Sequence, residues 1–371
     1  MKTIAYINPD CFLDTDMSVL PELSKEYDIL WIPILDGSGK GRSESSLAEF
    51  ASEHGIRIHI ITNRIRQRSL RNLSFYASIL HVIKEERCDM VYTAIVSPFW
   101  TVSALFLKIP IVRGIHDFES HSGDRKGRIL SLFTHLDIVL NRYFIFFSKA
   151  QLNLFQKRFP QKKAICVGMA SPFFGEPKTT APPFSDRIHL LFFGRIDSYK
   201  GLDLLIEALE DLYTQGIDKF QLSIKGNGSF WPECEKAIKH QFLFDSDIRF
   251  IKDDEIPDLF ASHHFLVLPY RDTTQSGPMM IAIQYGLPVI APEFPAFAEY
   301  CKNDNAILYA TGHLKEVLMA CSKLKQKDYD ILRENWNAVK SDCTSDVIAS
   351  RYSHYFNTVI LRPKDDEKDI M

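Results

Sequence analysis

Short apolar strands alternate with amphipathic helical segments along nearly the whole chain, and this alternation is interrupted only once. Before the interruption the predicted strands cover 2–7, 29–34, 56–61, 89–94, 110–115, 136–140 and 164–167. After it they cover 188–193, 219–225, 248–251, 265–270 and 288–291. This alternation favours parallel sheets whose strands are joined by crossover helices. The sequence therefore predicts an α/β fold.

The interruption at 171–185 contains four prolines and no periodicity, which is typical of an inter-domain linker. A chain of 371 residues also exceeds the size at which a single core keeps growing. We therefore predict two doubly wound, Rossmann-like domains facing across a cleft. The predicted boundaries are 1–172 for the first domain, 173–186 for the linker, 187–345 for the second domain and 346–362 for a helix crossing back to the first.

Composition excludes several classes of protein. Apolar residues make up 46% and charged residues 25%, which is ordinary for a globular α/β protein and wrong for disorder. The apolar runs are too short to span a bilayer, and no leader precedes the first strand, so we expect a cytoplasmic protein. Seven scattered cysteines without Cys-x-x-Cys spacing indicate reduced thiols and no metal site.

Two cations follow the strand at 188–193. Gly194-Arg195 ends that strand, and Lys200-Gly201 opens the next helix. Ligands bind beyond the carboxyl ends of parallel strands, and Arg and Lys together suit a pyrophosphate. The alternative interpretation is that both are solvated loop cations.

A second polar segment, Thr274-Gln275-Ser276-Gly277, follows the strand at 265–270. Pro278 comes next, and proline is preferred at the first position of a helix. The free N–H groups of such a helix start form an anion site. A plain serine cap would explain Ser276 alone.

These two segments together resemble the retaining GT-B glycosyltransferases of family 4. The resemblance implies a nucleoside-diphosphate-sugar donor held at its pyrophosphate, retention at the anomeric carbon, and neither a cofactor nor an obligatory metal. It implies catalytic roles for Arg195 and Lys200. The positions implied for donor binding are Gly194, Asn227, Ile251, Gln275, Ser276, Gly277 and Glu299.

The loop at 273–277 departs from the common family pattern, which carries two glutamates. The first position here is Thr273 or Thr274, and the second is Ile281 or Ala282. The loop looks instead like a Thr-Gln-Ser-Gly subgroup found in bacterial surface-polysaccharide assembly. The usual carboxylate contact to the ribose is missing, so the donor is not identified.

In the first half, His116-Asp117 directly follows the strand at 110–115 and resembles the family's His-Asp element near the transferred sugar. We predict catalytic roles for both residues, with a structural histidine as the alternative. Residues 1–180 also carry 23 Lys and Arg against 18 Asp and Glu, which suggests an anionic partner.

Four arginines, Arg64, Arg66, Arg68 and Arg71, precede an amphipathic helix. They predict peripheral contact with anionic lipid or a lipid pyrophosphate, on the inner face of the plasma membrane. A solvated helix start is the alternative.

The predicted activity is transfer of a sugar from a nucleoside-diphosphate sugar to a saccharide or lipid-linked acceptor in polysaccharide biosynthesis, with no nucleic-acid partner. One alternative is a sugar-nucleotide epimerase or hydrolase, which would need Asp117, Glu119 or Glu299 for proton transfer. The other is a non-catalytic nucleotide-sugar binder, motivated by the missing glutamates.

Overall fold

A computed structural model describes residues 1–37, 42–116, 118, 135–184, 187–302 and 304–360. The chain divides into two compact units. The first contains Met1–Ala170 and the C-terminal segment from Ser345, and the second contains Ser171–Thr344. Each unit is built on its own parallel sheet.

The first unit has a sheet of eight strands. They are β1 (Thr3–Pro9), β2 (Asp28–Leu35), β3 (Arg57–Ile58), β4 (Ile61–Thr62), β5 (Met90–Thr93), β6 (Ile111–Ile115), β7 (Tyr143–Phe146) and β8 (Lys163–Cys166). Their order is β3-β2-β1-β5-β6-β7-β8, with β4 also paired to β2, and every pairing is parallel. Its described helices are α1 (Leu13–Leu23), α2 (Glu44–Glu53), α3 (Arg71–Glu85), α4 (Pro98–Ala104), α5 (135–140) and α6 (Lys149–Arg158).

The second unit has six strands, again all parallel. They are β9 (Ile188–Phe193), β10 (Phe220–Lys225), β11 (Phe244–Asp247), β12 (Phe265–Val267), β13 (Val289–Pro292) and β14 (Ile307–Tyr309). The helices are α7 (Leu202–Thr214), α8 (Trp231–Glu235), α9 (Ile256–Ala261), α10 (Gly277–Tyr285), α11 (Pro295–Ala298), α12 (Leu314–Cys321) and α13 (Gln326–Lys340). Their order in the sheet is β11-β10-β9-β12-β13-β14. The chain enters at the central strand β9, runs outward to β11, and then continues from β12 to β14 on the other side of β9. This reversal defines a doubly wound sheet.

The C-terminal helix α14 (Ser345–Ile360) belongs to the first unit. Tyr352 and Phe356 on this helix are buried against Tyr92 of the central strand β5. Tyr355 donates a hydrogen bond to the carbonyl oxygen of Lys163 at 2.6 Å. The helix is therefore part of the hydrophobic core of the first unit.

Two predicted strands lie elsewhere in the structure. Residues 135–140 are helical, and the strand is Tyr143–Phe146, because that aromatic run is buried on both faces between β6 and β8. The strand predicted at 248–251 is instead Phe244–Asp247, a sheet edge. An edge strand pairs on one side only and needs no continuous apolar pattern.

The proline-rich segment is tied to the second unit by its own backbone. The N–H of Phe174 donates to the hydroxyl of Tyr285 at 2.9 Å. The amides of Lys178 and Thr179 donate to Oδ1 of Asp258. None of the described helices is both long and apolar enough to cross a membrane.

Candidate active site

The loops after β9 and β12 emerge at the point where the strand order of the second sheet reverses. β9 pairs with β10 on one side and with β12 on the other, so the crossovers leave this point in opposite directions. Such a switch point leaves an open crevice at the carboxyl edge of the sheet. The predicted phosphate-binding residues lie in these two loops.

The two loops pack backbone against backbone. Gly201 has a φ of +68°, and a Cβ added there would lie 1.9 Å from the carbonyl oxygen of Pro269. The amide of Arg271 donates to the carbonyl of Tyr199 at 2.8 Å. Its guanidinium donates to the carbonyl of Ser198 at 2.6 Å and binds both carboxylate oxygens of Asp203. These contacts therefore hold the loop after β9 and the loop after β12 in fixed positions.

Lys200 is a buried cation, with only 8% of its surface exposed. Its Nζ donates to Oη of Tyr270 at 2.6 Å and lies 4.0 Å from the centre of that ring. Among the described residues no carboxylate comes within ion-pair distance of it. Burial lowers the pKa of the ammonium below its ordinary value. The Asp197 carboxylate favours the charged form from beyond ion-pair distance. Burial of an ammonium is costly, so the site favours a bound anion.

Ser276 caps the helix α10. Its Oγ accepts a hydrogen bond from the amide of Met279 at 3.4 Å, and it lies 3.2 Å from Oη of Tyr270. Gly277 and Pro278 follow as the first helical residues. Apart from its chain neighbours and the backbone of α10 itself, none of the described residues lies within 4 Å of a Cβ added at Gly277, so the space before the helix start is open.

Arg195 differs from Lys200 in its surroundings, although the sequence predicted a similar role for both. Its side chain is 73% exposed, and Nη2 lies 3.3 Å from Oδ2 of Asp197. Nη2 also lies 3.5 Å from the hydroxyl of Tyr199. Arg195 therefore stands at the rim of the crevice, whereas Lys200 lies inside it.

Asn227 is placed by a glycine turn that runs alongside the loop after β9. The carbonyl of Asn227 accepts a hydrogen bond from the amide of Ile196 at 2.8 Å. A Cβ at Gly226 would lie 1.9 Å from the carbonyl oxygen of Gly194, and one at Gly228 would lie 2.1 Å from that of Ile196. Only glycine permits this approach, which explains the two glycines around Asn227.

The residues predicted to bind the donor follow five neighbouring strands in sheet order. Ile251 comes after β11, Asn227 after β10, Gly194 after β9, Gln275 after β12 and Glu299 after β13. The carboxyl ends of parallel strands meet at one edge of the sheet, so all five positions share that edge. Ile251 is buried, whereas the Gln275 and Glu299 side chains are partly exposed.

In the first unit, His116 directly follows β6, and its imidazole lies between two phenyl rings. Phe12 and Phe147 stack on opposite sides, each with its ring centre 4.0 Å away and interplanar angles of 13° and 18°. The stack covers the ring faces, so the ring edge carries the polar contacts. Asp117 lies outside the described residues.

The sequence prediction missed Tyr270, Phe12 and Phe147. The sequence predicts Tyr270 only as the end of an apolar strand, whereas its hydroxyl joins Lys200 to Ser276. Its position between a buried strand and the hydroxyl-rich loop was the available signal. Nothing in the sequence pairs Phe12 or Phe147 with His116, because the three residues follow different strands.

Family models match both halves of the chain. Residues 33–167 match Glycosyltransferase Family 4, and residues 187–342 match Glycosyl transferases group 1. Each unit carries a glycosyltransferase domain. The prediction of two parallel α/β domains of the GT-B kind is confirmed by the sheets and by the solved structures that the chain resembles.

A curated relative is the GDP-mannose:glycolipid 4-beta-D-mannosyltransferase of Xanthomonas campestris pv. campestris, 25% identical over 189 residues. The match covers 49% of this chain and about half, 50%, of that relative. A glycosyltransferase from Rickettsia africae aligns with a TM-score of 0.74 at 14% identity, covering 98% of this chain and 99% of the other. Anabaena HepE, solved with UDP and glucose, aligns with a TM-score of 0.73 at 16% identity, covering 96% and 100%.

Proposed function

We propose that this protein transfers a sugar from a nucleoside-diphosphate sugar to a saccharide or lipid-linked acceptor in polysaccharide biosynthesis. The observation that carries the proposal is the buried Lys200 ammonium at the switch point, without a carboxylate in ion-pair distance among the described residues. A donor pyrophosphate supplies the missing negative charge. The glycosyltransferase domains support transfer over the epimerase, hydrolase and binder alternatives.

Lys200 and the start of α10 act on the leaving group. As the bond between the sugar and the phosphate breaks, negative charge grows on the leaving diphosphate. Lys200, the Ser276 hydroxyl and the backbone N–H groups of 275–277 are placed to stabilise that charge more strongly than in the ground state. We assign Arg195, at the rim, to the same pyrophosphate. We assign Gly194, Asn227, Ile251 and Glu299 to the remaining donor contacts, and we propose that no metal is required.

We assign the acceptor to the first unit. His116 and Asp117 bind the transferred sugar or the incoming hydroxyl, a role supported by the resemblance and by the ring stack that fixes the imidazole. Retention at the anomeric carbon rests on the resemblance alone. The name of the Xanthomonas relative specifies a β-linkage. An NMR determination of the product anomer decides between retention and inversion here.

A thermal-shift screen with UDP, GDP and ADP and their sugars tests the proposed donor class. A nucleotide at about a hundred times its Kd stabilises the folded state by about 2.7 kcal/mol, so the Tm of the second unit should rise by several degrees. We expect one nucleotide series to do so and the other two to do little. If none of the three raises the Tm, the donor proposal is wrong.

We further propose that the protein works at the inner face of the plasma membrane. Arg64, Arg66, Arg68 and Arg71 are all exposed, and Leu70 among them is 76% exposed. Basic residues beside an exposed apolar side chain suit an anionic bilayer surface.

Arg68→Gln tests this surface. A basic residue near an anionic membrane contributes about 1 kcal/mol, so the variant should bind phosphatidylglycerol vesicles roughly fivefold more weakly in sedimentation. Binding to phosphatidylcholine vesicles serves as the uncharged control. Equal binding of the wild type and the variant to anionic vesicles would show that Arg68 does not contribute to membrane binding.

A further inference from the structure

Tyr270 stands between the two groups that hold the proposed pyrophosphate. Its Oη lies 2.6 Å from Nζ of Lys200 and 3.2 Å from Oγ of Ser276. The phenol is buried, with 3% of the residue exposed. The hydroxyl thus links the loop after β9 to the cap of α10.

The chemistry of these groups fixes the direction of the hydrogen bond from Lys200, whereas either hydroxyl can donate in the contact between Tyr270 and Ser276. An ammonium can only donate, so Oη of Tyr270 accepts from Lys200. The direction that gives the buried phenol proton an acceptor is from Oη of Tyr270 to Oγ of Ser276. The amide of Met279 also donates to this Oγ, at 3.4 Å. In that direction both acceptor positions of the serine oxygen are filled, and its own proton is donated outward.

We propose that Tyr270 is a positioning residue that fixes Lys200 and Ser276 as hydrogen-bond donors toward the donor pyrophosphate. Beyond its bond to Tyr270, Lys200 has further N–H groups to donate, and Ser276 has its O–H. At these two side chains the crevice then presents donors, which favours an anion over a cation. This inference rests on the proposed function, because it names how the same site recognises its phosphate.

Tyr270→Phe tests the proposal, because it keeps the ring beside Lys200 and removes only the oxygen. The probe is UDP or GDP, measured by titration calorimetry from pH 7 to 10. We expect affinity about tenfold weaker, since a hydrogen bond to a charged group is lost. Affinity falls at alkaline pH as Lys200 loses its proton, and in the variant this fall should begin at a lower pH than in the wild type. The reason is that the ammonium loses an acceptor that stabilises its charged form, which lowers the pKa of Lys200. The other titratable groups that face Lys200 in the described part of the chain are Tyr199, Arg195 and Asp197, and the Tyr270→Phe variant keeps all three.

The double variant Lys200→Met with Tyr270→Phe separates positioning from a structural role. If Tyr270 acts through Lys200, the phenol substitution should have little further effect on affinity in the Lys200→Met background. Wild-type affinity and an unchanged alkaline fall in Tyr270→Phe would overturn the proposal.

The proposed function and this inference can fail separately. Lack of UDP, GDP and ADP binding by the wild-type protein would refute the donor assignment. The same four proteins, compared without ligand by thermal unfolding, still test the link. If the effects of the two substitutions on Tm are coupled, they support the proposal that Tyr270 positions Lys200. If the two effects on Tm are additive, they overturn it.

Discussion

Replacement of Lys200 by methionine should lower kcat/KM for the donor by about a hundredfold to a thousandfold. Loss of one preorganised group that stabilises transition-state charge has this order of effect, about 2.7–4 kcal/mol. Lys200 is buried beside Tyr270 and Ser276, so solvent offers little replacement for its charge. Steady-state kinetics with the donor found in the thermal-shift screen measures the loss.

The same variant should fold at least as well as the wild type. Methionine fills a similar volume and removes a buried charge that has no carboxylate in ion-pair distance among the described residues, so Tm should be unchanged or higher. A control is Lys236→Met, which removes an exposed lysine paired with Glu233 and should leave kinetics unchanged. Full activity in Lys200→Met would refute the role of Lys200.

The pH dependence of donor binding and of stability should have opposite signs. Burial lowers the pKa of Lys200, so between that pKa and about 10.4 the unfolded chain binds more protons than the folded one. The contribution of Lys200 to the stability of the ligand-free protein therefore rises with pH through this window. Donor affinity needs the ammonium and falls through the same window. Both trends should be absent in Lys200→Met.

The sequence predicted most of the fold because apolar strands and amphipathic helices carry their periodicity locally. It failed at 136–140, where a short apolar run forms a helix, and the strand lies at Tyr143–Phe146. It also misplaced β11, since an edge strand with one buried face has a weak pattern. Both errors concern pairing within the sheet, which depends on residues distant in sequence.

The site was predictable only as far as it follows strand ends. Arg195 and Lys200 looked alike because both follow β9, and only the three-dimensional packing buries one and exposes the other. The role of Tyr270 depends on the contact between the loops after β9 and β12. Such a contact between chain segments seventy residues apart leaves no local pattern.

Replacement of Gly277 by alanine should weaken donor binding more than tenfold without loss of stability. Within the described part of the chain, a Cβ at this position meets no side chain and no backbone outside α10 and its immediate neighbours within 4 Å. Alanine is also the better helix former, so the free energy of unfolding should stay equal or rise by up to about 1 kcal/mol. The same Cβ would occupy the space before α10 in which we place a phosphate oxygen. Calorimetry with the nucleotide and thermal unfolding of the ligand-free variant measure the two effects.

Gly55→Ala is the matched control, because it should show the reverse behaviour. Gly55 also has open space around it, but its φ of +64° strains any other residue. We expect a loss of about 1 kcal/mol in stability and an unchanged donor affinity, since Gly55 lies in the first unit. If Gly277→Ala binds the nucleotide as tightly as the wild type, the phosphate does not approach the start of α10. The open space there would then be ordinary solvent, and the anion would have to be held by Lys200 and Arg195 alone.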